Sequence, residues 1–339
     1  MRFFLSLLCT LLILTGVIAT GWFTHYLVTP SVDGDEVLVV IPRGACSRKI
    51  KDLLAAKGLI QDDIRFLVLI RLLRIFDTAN PPNLRAGEFQ VPFGLTPLEV
   101  VRFLHKAKPI SYRVTIPEGK TMTDIAKIFA QKGWADPQLF LKLCRDREFI
   151  QALGVEADSL EGYLFPETYT LVRNASDEQA IITSMVERFF TVWNPMLEQG
   201  QGQEGLDARQ LLVLASMIEK ETGRAGERDI IAGVFYNRLK KGMRLQSDPT
   251  TIYGIKNFNG NLTRADLRKA TPYNTYVIPA LPPGPICNPG AKALHAALHP
   301  AEVTYYYFVS KNNGSHYFSK TLKEHNRAVY RYQKRKRKK

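Results

Sequence analysis

One glutamate, Glu219, stands inside the apolar pattern of the stretch Leu206–Gly254. Asp207 is a suitable helix N-cap, apolar residues follow at helical spacing, and Gly223 supplies a stop, so the pattern predicts a helix. At about 100° per residue from Leu211, Glu219 falls at about 80°, within the apolar stripe. A carboxyl group that faces apolar neighbours keeps its proton to higher pH, as a general acid must.

The alternative interpretation is that Glu219 pairs with a basic side chain and only ties two helices together. Three arginines follow within reach of such a pairing: Arg224, Arg228 and Arg238. A second helix pattern runs from about Glu227 to Lys241 and ends at Gly242. The sequence leaves both roles of Glu219 open.

Two polar segments after these helices carry side chains that suit sugar recognition. The first, around Pro249, is predicted to be a loop, and the second is a Pro-rich loop from Thr271 to Gly290. The candidate binding residues are Gln246, Asp248, Thr250, Tyr273, Asn274, Thr275 and Tyr276. Ordinary turn chemistry and a rigid wall around a core are the alternatives.

The run from Phe3 to Leu27 is almost uncharged, spans about 37 Å as a helix, and is long enough to cross a bilayer. Arg2 precedes it and acidic residues follow it, so the positive-inside rule places the N-terminus in the cytoplasm and the body in the periplasm. We expect an uncleaved anchor in the inner membrane. A cleaved signal peptide is the alternative, but no clear cleavage site follows.

The charge and the cysteines exclude several classes of protein. The formal net charge is +14, part of which sits in a tail, Arg331–Lys339, that we expect to be disordered. An exported body makes nucleic acid an improbable partner, and an anionic envelope surface suits the tail better. The four cysteines lack C-x-x-C spacing, and no H-E-x-x-H occurs, so we predict neither a disulfide framework nor a metal site.

An ungapped internal repeat precedes the region around Glu219. The segment VVIPRGACSRKIKDLLAAKGLI from Val39 is answered by RVTIPEGKTMTDIAKIFAQKGWA from Arg113. Each unit predicts a strand, a Pro-x-Gly turn, an amphipathic helix and a helix-ending glycine. Such a unit resembles the LysM carbohydrate-binding module. Alternatively, the units pack beside the rest of the protein and set its distance from the membrane.

These patterns predict an α+β protein that has an N-terminal transmembrane helix, small LysM-like α/β modules and a mixed α+β catalytic domain. The predicted segments are 1–30, the cytoplasmic N-terminus and anchor; 31–110, the first repeat unit and membrane-proximal region; 111–175, the second, LysM-like unit; 176–330, the catalytic domain; and 331–339, the basic tail. The segment Ser159–Leu171 interleaves aromatic residues with Glu161 and Glu167. It suits either sugar stacking or a buried strand.

Several blocks together resemble one known family. They are the I-P-x-G repeat, SLEGYLFPETY, LASMIEKETG, ERDIIAGVFYNRLKKGMRLQSDPTTIYG, PYNTY, LPPGPICNPG, YYYFV and a terminal EHN. In combination they resemble the endolytic murein transglycosylase family, the YceG-like or MltG group. The resemblance covers essentially everything after the anchor and places the family's catalytic glutamate on Glu219.

The resemblance implies cleavage of the β-1,4 bond between N-acetylmuramic acid and N-acetylglucosamine in nascent peptidoglycan, with 1,6-anhydro ends as products. Glu219 would serve as acid and then base, so one carboxylate suffices where ordinary glycosidases use two. It implies no cofactor, glycan strands and the inner membrane as partners, peptidoglycan synthases as further partners, and strand termination as the role. A hydrolytic muramidase that uses Asp248 or Glu227, and a non-enzymatic scaffold, are the alternatives.

Overall fold

The computed structural model describes residues 2–32, 34–78, 81–200 and 205–334 of the 339-residue chain. By its internal contacts the chain divides into two compact units. The first unit is Met1–Arg113 with Thr170–Ser176, and the second is Val114–Tyr169 with Asp177–Lys339.

The first unit combines an apolar N-terminal helix with a small α/β core. Its elements are α1 (Arg2–Val28), β1 (Val37–Ile41), α2 (Ser47–Ala56), α3 (Arg65–Phe76), β2 (Gly87–Val91) and α4 (Pro97–Lys106). Strands β1 and β2 pair antiparallel, with Val39 opposite Phe89, and both side chains are buried. Residues Phe4–Val28 of α1 are long and apolar enough to cross a membrane.

The end of α1 is part of this core. Tyr26 is only 1% exposed. The Arg65 guanidinium lies 4.5 Å from the ring centroids of both Trp22 and Tyr26, and it donates a hydrogen bond to the Trp22 carbonyl. Such cation–π contacts stabilise a partly desolvated arginine. Removal of the whole apolar helix would therefore also open the first unit.

The second unit is mainly helical and carries a short hairpin near its end. Its elements are α5 (Met122–Gln131), α6 (Pro137–Leu143), α7 (Arg147–Ala152), α8 (Glu178–Gln199), α9 (Ala208–Glu221), α10 (Arg228–Lys240), α11 (Asp248–Tyr253), α12 (Ala291–Leu298), β5 (Tyr307–Ser310), β6 (His316–Ser319) and α13 (Leu322–Val329). Two further strands, β3 (Ser111–Thr115) and β4 (Thr168–Val172), pair with each other. Helix α9 packs against α12 and α10 at the centre.

The two repeat units share their local structure. In each, a strand leads into a Pro-x-Gly turn whose glycine has φ +72°, at Gly44 and at Gly119. A ten-residue helix follows, α2 or α5, and a glycine with positive φ comes two residues after its end, at Gly58 (φ +72°) and Gly133 (φ +67°). Left-handed backbone at these positions suits glycine, so the matching glycines have a physical cause.

The mixed α+β class is confirmed, and two local predictions are corrected. The segment around Pro249, predicted as a loop, contains the short helix α11, because a proline in the first turn suits a helix start. The basic tail, predicted as disordered, begins as a π-helical turn, Tyr330–Lys334, that continues α13. Residues 335–339 of that tail, and residues 201–204 of the Gly/Gln-rich segment before α9, lie outside the described residues.

Candidate active site

Helix α9 carries the predicted acid, and a capping box fixes its start. Asp207 accepts a hydrogen bond from the Gln210 backbone N–H at 2.8 Å, and the Gln210 side chain accepts one from the Asp207 N–H at 3.0 Å. Every residue from Leu211 to Ile218 is buried, so this part of the helix is buried on all sides rather than along one stripe. Glu219 follows directly at the edge of this buried segment.

Two groups contact the Glu219 carboxylate. The Gly290 backbone N–H donates to its Oε2 at 3.1 Å, and Arg228 Nη2 lies 3.6 Å from its Oε1. The side chains of Glu219 and Arg228 are each 7% exposed. Of the three arginines weighed from the sequence, the structure thus brings Arg228 to the carboxylate, at a distance longer than a hydrogen bond.

The environment of Glu219 favours its protonated form. Burial raises the pKa of Glu219, the Gly290 N–H lowers it, the negative charge of Glu118 raises it, and Arg228 lowers it, with a net increase. A carboxyl group with a raised pKa holds a proton at a pH where an exposed glutamate would not. The geometry therefore suits proton donation, with an N–H and a guanidinium in place for the carboxylate that forms.

The turn of the second repeat unit lies at this site, which the sequence did not predict. The Gly119 N–H donates to the Asn288 carbonyl at 2.9 Å, and the Asn288 N–H donates to the Lys120 carbonyl at 2.9 Å. Glu118 Oε2 lies 3.9 Å from Arg228 Nη2. The available signal was a charge difference between the repeats, since the matching position in the first unit is Arg43.

A cleft of about 430 Å³ brings together three of the predicted binding residues. Gln246, Asp248 and Tyr276 line it with Glu221 and further side chains from the C-terminal hairpin. The Tyr276 hydroxyl donates to Asp248 Oδ1 at 2.6 Å. Gln246 has φ +48°, a strained conformation for a residue other than glycine, as is common at binding sites.

Glu221, the last residue of α9, is a further functional candidate. Its Oε1 accepts a hydrogen bond from the Ser247 hydroxyl at 2.5 Å. Burial raises the pKa of Glu221 to about 7, although the bond from Ser247 opposes this shift. The cleft is thus lined by Glu221, a glutamate that holds a proton near neutral pH, whereas Glu219, two residues earlier, is not among its lining residues.

The other four predicted binding residues point away from open space or pack on aromatic neighbours. Thr250, Asn274 and Thr275 are fully buried. The hydroxyls of Thr250 and Thr275 lie 2.8 Å apart, and the Asn274 amide donates to backbone carbonyls of residues 266, 267 and 269. The Tyr273 ring packs on Tyr253 at 4.8 Å between centroids. These contacts fix the shape of the loop that carries Tyr276.

Glu161 links three segments of the second unit from a buried position. Its Oε1 accepts from the Met122 N–H and from Asn288 Nδ2, both at 3.0 Å, and its Oε2 accepts from the Tyr253 hydroxyl at 3.1 Å. Burial raises the pKa of Glu161 to about 7. Glu161 is 3% exposed, whereas Glu167 forms an ion pair with Arg188 at 2.7 Å, so neither has a free carboxylate for sugar.

Glu227, the other carboxylate considered for water activation, is held by His316. His316 donates its backbone N–H to Oε1 at 3.0 Å, and its Nδ1 lies 2.7 Å from Oε2. Burial alone would raise the pKa of Glu227, but the contacts with His316 outweigh it and lower that pKa. Within the described chain, no three His, Cys, Asp or Glu residues form a group suited to a metal ion.

Comparison with known proteins gives consistent matches. The model of the YceG-like family matches residues 39–331. The chain is 32% identical to the endolytic murein transglycosylase of Bacillus subtilis, over 87% of this chain and 84% of that protein. It is 28% identical to the endolytic murein transglycosylase of Streptococcus pneumoniae serotype 2, over 92% of this chain but only 62% of that longer protein.

A solved structure agrees with these matches. The crystal structure of a YceG-like protein from Listeria monocytogenes superposes with a TM-score of 0.57 at 32% identity, over 87% of this chain and 99% of that one. The family match covers most of the sequence, including both repeat turns and every candidate site residue. The chain belongs to the YceG-like family.

Proposed function

We propose that the chain is a lytic transglycosylase that cleaves the β-1,4 bond between N-acetylmuramic acid and N-acetylglucosamine inside peptidoglycan strands. The observation that carries this proposal is the Glu219 carboxyl group, which is buried, has a raised pKa and is held by the Gly290 N–H beside Arg228. The names of the Bacillus and Streptococcus relatives support the same reaction.

In the proposed reaction, protonated Glu219 gives its proton to the leaving glycosidic oxygen as the bond from the muramic anomeric carbon to that oxygen breaks. The resulting carboxylate then takes the proton of the muramic O6 hydroxyl, and O6 bonds to the anomeric carbon to close a 1,6-anhydro ring. The proton is thereby returned to Glu219, and no water is consumed. The Gly290 N–H and Arg228 stabilise the carboxylate between the two steps.

The cleft beside Glu221 is the proposed glycan-binding surface. Gln246, Asp248 and Tyr276 offer an amide, a carboxylate and a phenol to sugar hydroxyl and acetamido groups. For Thr250, Asn274 and Thr275 we propose a positioning role, because their polar atoms bind neighbouring residues of the loops. Tyr273 contributes its ring to the packing under the cleft.

The N-terminal helix is the proposed anchor, with the N-terminus in the cytoplasm and the chain after this helix in the periplasm. Its length and apolar character support a single span of the inner membrane. Nascent glycan emerges near that membrane, so a tethered enzyme would cut it there and end strand elongation, beside peptidoglycan synthases. The proposed segments are the anchor (1–30), the two repeat regions (31–110 and 111–175), the catalytic part (176–330) and the tail (331–339).

For the repeat units we propose a LysM-like, glycan-facing role. The matching turns and helix ends support two copies of one motif. The exposed carboxylate of Asp248 supports a second candidate reaction, hydrolysis. In that reaction Asp248 would activate a water molecule, and this water, rather than the O6 hydroxyl, would attack the anomeric carbon.

The test is digestion of purified peptidoglycan strands by the full chain in detergent, followed by mass spectrometry of the new ends. Anhydromuramyl ends at internal cuts are the expected result. Reducing ends would instead indicate that the protein is a hydrolase and not a lyase. Intact strands that still bind the protein would favour a glycan-binding scaffold and end the enzymatic proposal.

A further inference from the structure

The Pro-Glu-Gly turn of the second repeat unit is fastened to the elements that carry Glu219. Besides the pair of backbone hydrogen bonds with Asn288, the Lys220 amine on α9 donates to the Gly119 carbonyl at 3.3 Å. Gly119 lies against the acid, since a Cβ built on it would be 3.5 Å from Glu219 Cγ. Three contacts from two other elements thus fix the turn beside the carboxylate.

Gly290 leaves the space that the Glu118 side chain occupies. A Cβ built on Gly290 would lie 2.0 Å from Glu118 Oε1 and 2.2 Å from its Cδ. Gly290 has φ −81°, a value open to any residue, so its backbone conformation does not require glycine. The close approach of Glu118 is the reason for a small residue here, and the same Gly290 donates its N–H to Glu219.

We propose that Glu118 is a positioning residue for the acid: it shares the Arg228 guanidinium with Glu219 and so keeps Arg228 from neutralising Glu219 in a close ion pair. Arg228 Nη2 lies between the carboxylates, 3.6 Å from Glu219 and 3.9 Å from Glu118. Arg228 Nε is buried and has no hydrogen-bond partner among the residues that the structure describes. The proposal rests on the proposed function and gives the second repeat unit a part in the chemistry.

The charged groups that face Glu219 come from three elements. Glu118 comes from the repeat turn, Arg228 from α10, and Lys220 from α9 itself, with its amine on the Gly119 carbonyl. The charge of Glu118 raises the pKa of Glu219, and Arg228 lowers it. Removal of the Glu118 charge should lower the pKa of Glu219 in two ways. It removes the repulsion between the two carboxylates, and it leaves Arg228 free to pair with Glu219. Both effects release the proton of the acid at lower pH.

The test is the pH profile of glycan cleavage by the full chain and by Glu118→Gln. A general acid loses activity as pH rises through its pKa, so we expect the basic limb of the variant to move down by about half to one pH unit. Activity on the acidic side of that limb should stay within about twofold of the parent, while activity above it falls about three- to tenfold. Glu118→Asp, which keeps the charge, should restore most of the profile.

Two further variants separate electrostatics from structure. Gly290→Ala should displace Glu118 and move the limb in the same direction, whereas Glu148→Gln, at an exposed position on α7, should not move it. The proposal would be overturned if the pH profile of Glu118→Gln coincided with that of the parent, or if the variant lost the same fraction of activity at every pH. If the parent itself cleaves no glycan, the proposed function fails instead.

A measurement without turnover keeps the inference testable in that case. The ¹³C shift of the Glu219 carboxyl, assigned by its absence in Glu219→Gln, reports its titration in the full chain. Glu118→Gln should titrate at lower pH than the parent. Identical titration curves would refute the coupling whether or not the protein cuts glycan.

Discussion

Replacement of Glu161 by glutamine should make the protein more stable at alkaline pH and leave it unchanged at acid pH. Burial raises the pKa of Glu161 from its ordinary value of 4.5 to about 7 in the folded chain. The folded state therefore binds more protons than the unfolded state between these values, and its stability falls as pH rises through that window. One pKa unit corresponds to about 1.36 kcal/mol, so ionisation of Glu161 costs on the order of 3 kcal/mol above pH 7.

Glutamine fits the contacts of Glu161. Its carbonyl oxygen can accept from the Met122 N–H and Asn288 Nδ2, as Oε1 does, and its amide can donate to the Tyr253 hydroxyl oxygen. We therefore expect Glu161→Gln to match the parent at pH 4.5 and to exceed it by up to about 3 kcal/mol at pH 8.

Equilibrium urea unfolding of the full chain in detergent, followed by tryptophan emission, measures this difference. Trp134 and Trp193 lie in the second unit with Glu161. Glu221 also has a pKa of about 7, but it is present in both proteins, so the difference between them isolates Glu161. A parent–variant difference that does not change with pH, or a variant that weakens as pH rises, would refute the reasoning.

Two further predictions concern the packing and the cleft. Gly233→Ala places a Cβ 2.4 Å from the Ala301 carbonyl oxygen and should lower the free energy of unfolding by about 1–3 kcal/mol. The control Gly226→Ala, whose Cβ would meet no described atom within 4 Å, should change the free energy of unfolding by less than about 0.5 kcal/mol. Equal urea midpoints for the two variants would contradict this prediction. Tyr276→Phe removes the hydrogen bond to Asp248 and should lower kcat/KM for glycan cleavage about five- to tenfold at an unchanged urea midpoint, and an unaltered kcat/KM would remove this pair from the binding surface.

The sequence predicted the local features that depend on neighbouring residues. The N-cap at Asp207 and the helices α9 and α10 follow from capping residues and helical spacing, and each is confirmed. These features form through contacts over a few residues, which a pattern of residue types records directly.

Features that depend on distant contacts were beyond the sequence. Glu118 meets Arg228 only because the repeat turn pairs with Asn288, far along the chain, and no periodicity encodes that pairing. Polar residue types likewise did not reveal that Thr250 and Asn274 would be buried, since a buried polar side chain and a ligand-binding one look alike until their partners are known.

In the proposed reaction Glu219, and not its neighbour Glu221, donates the proton. The most direct measurement compares peptidoglycan digestion by the full chain, Glu219→Gln and Glu221→Gln, with the new chain ends counted by mass spectrometry. We expect the cleavage activity of Glu219→Gln to be at least about 100-fold below that of the parent, whereas Glu221→Gln should still form anhydromuramyl ends. Full activity of Glu219→Gln, together with loss in Glu221→Gln, would contradict the account and move the chemistry to the carboxyl group in the cleft.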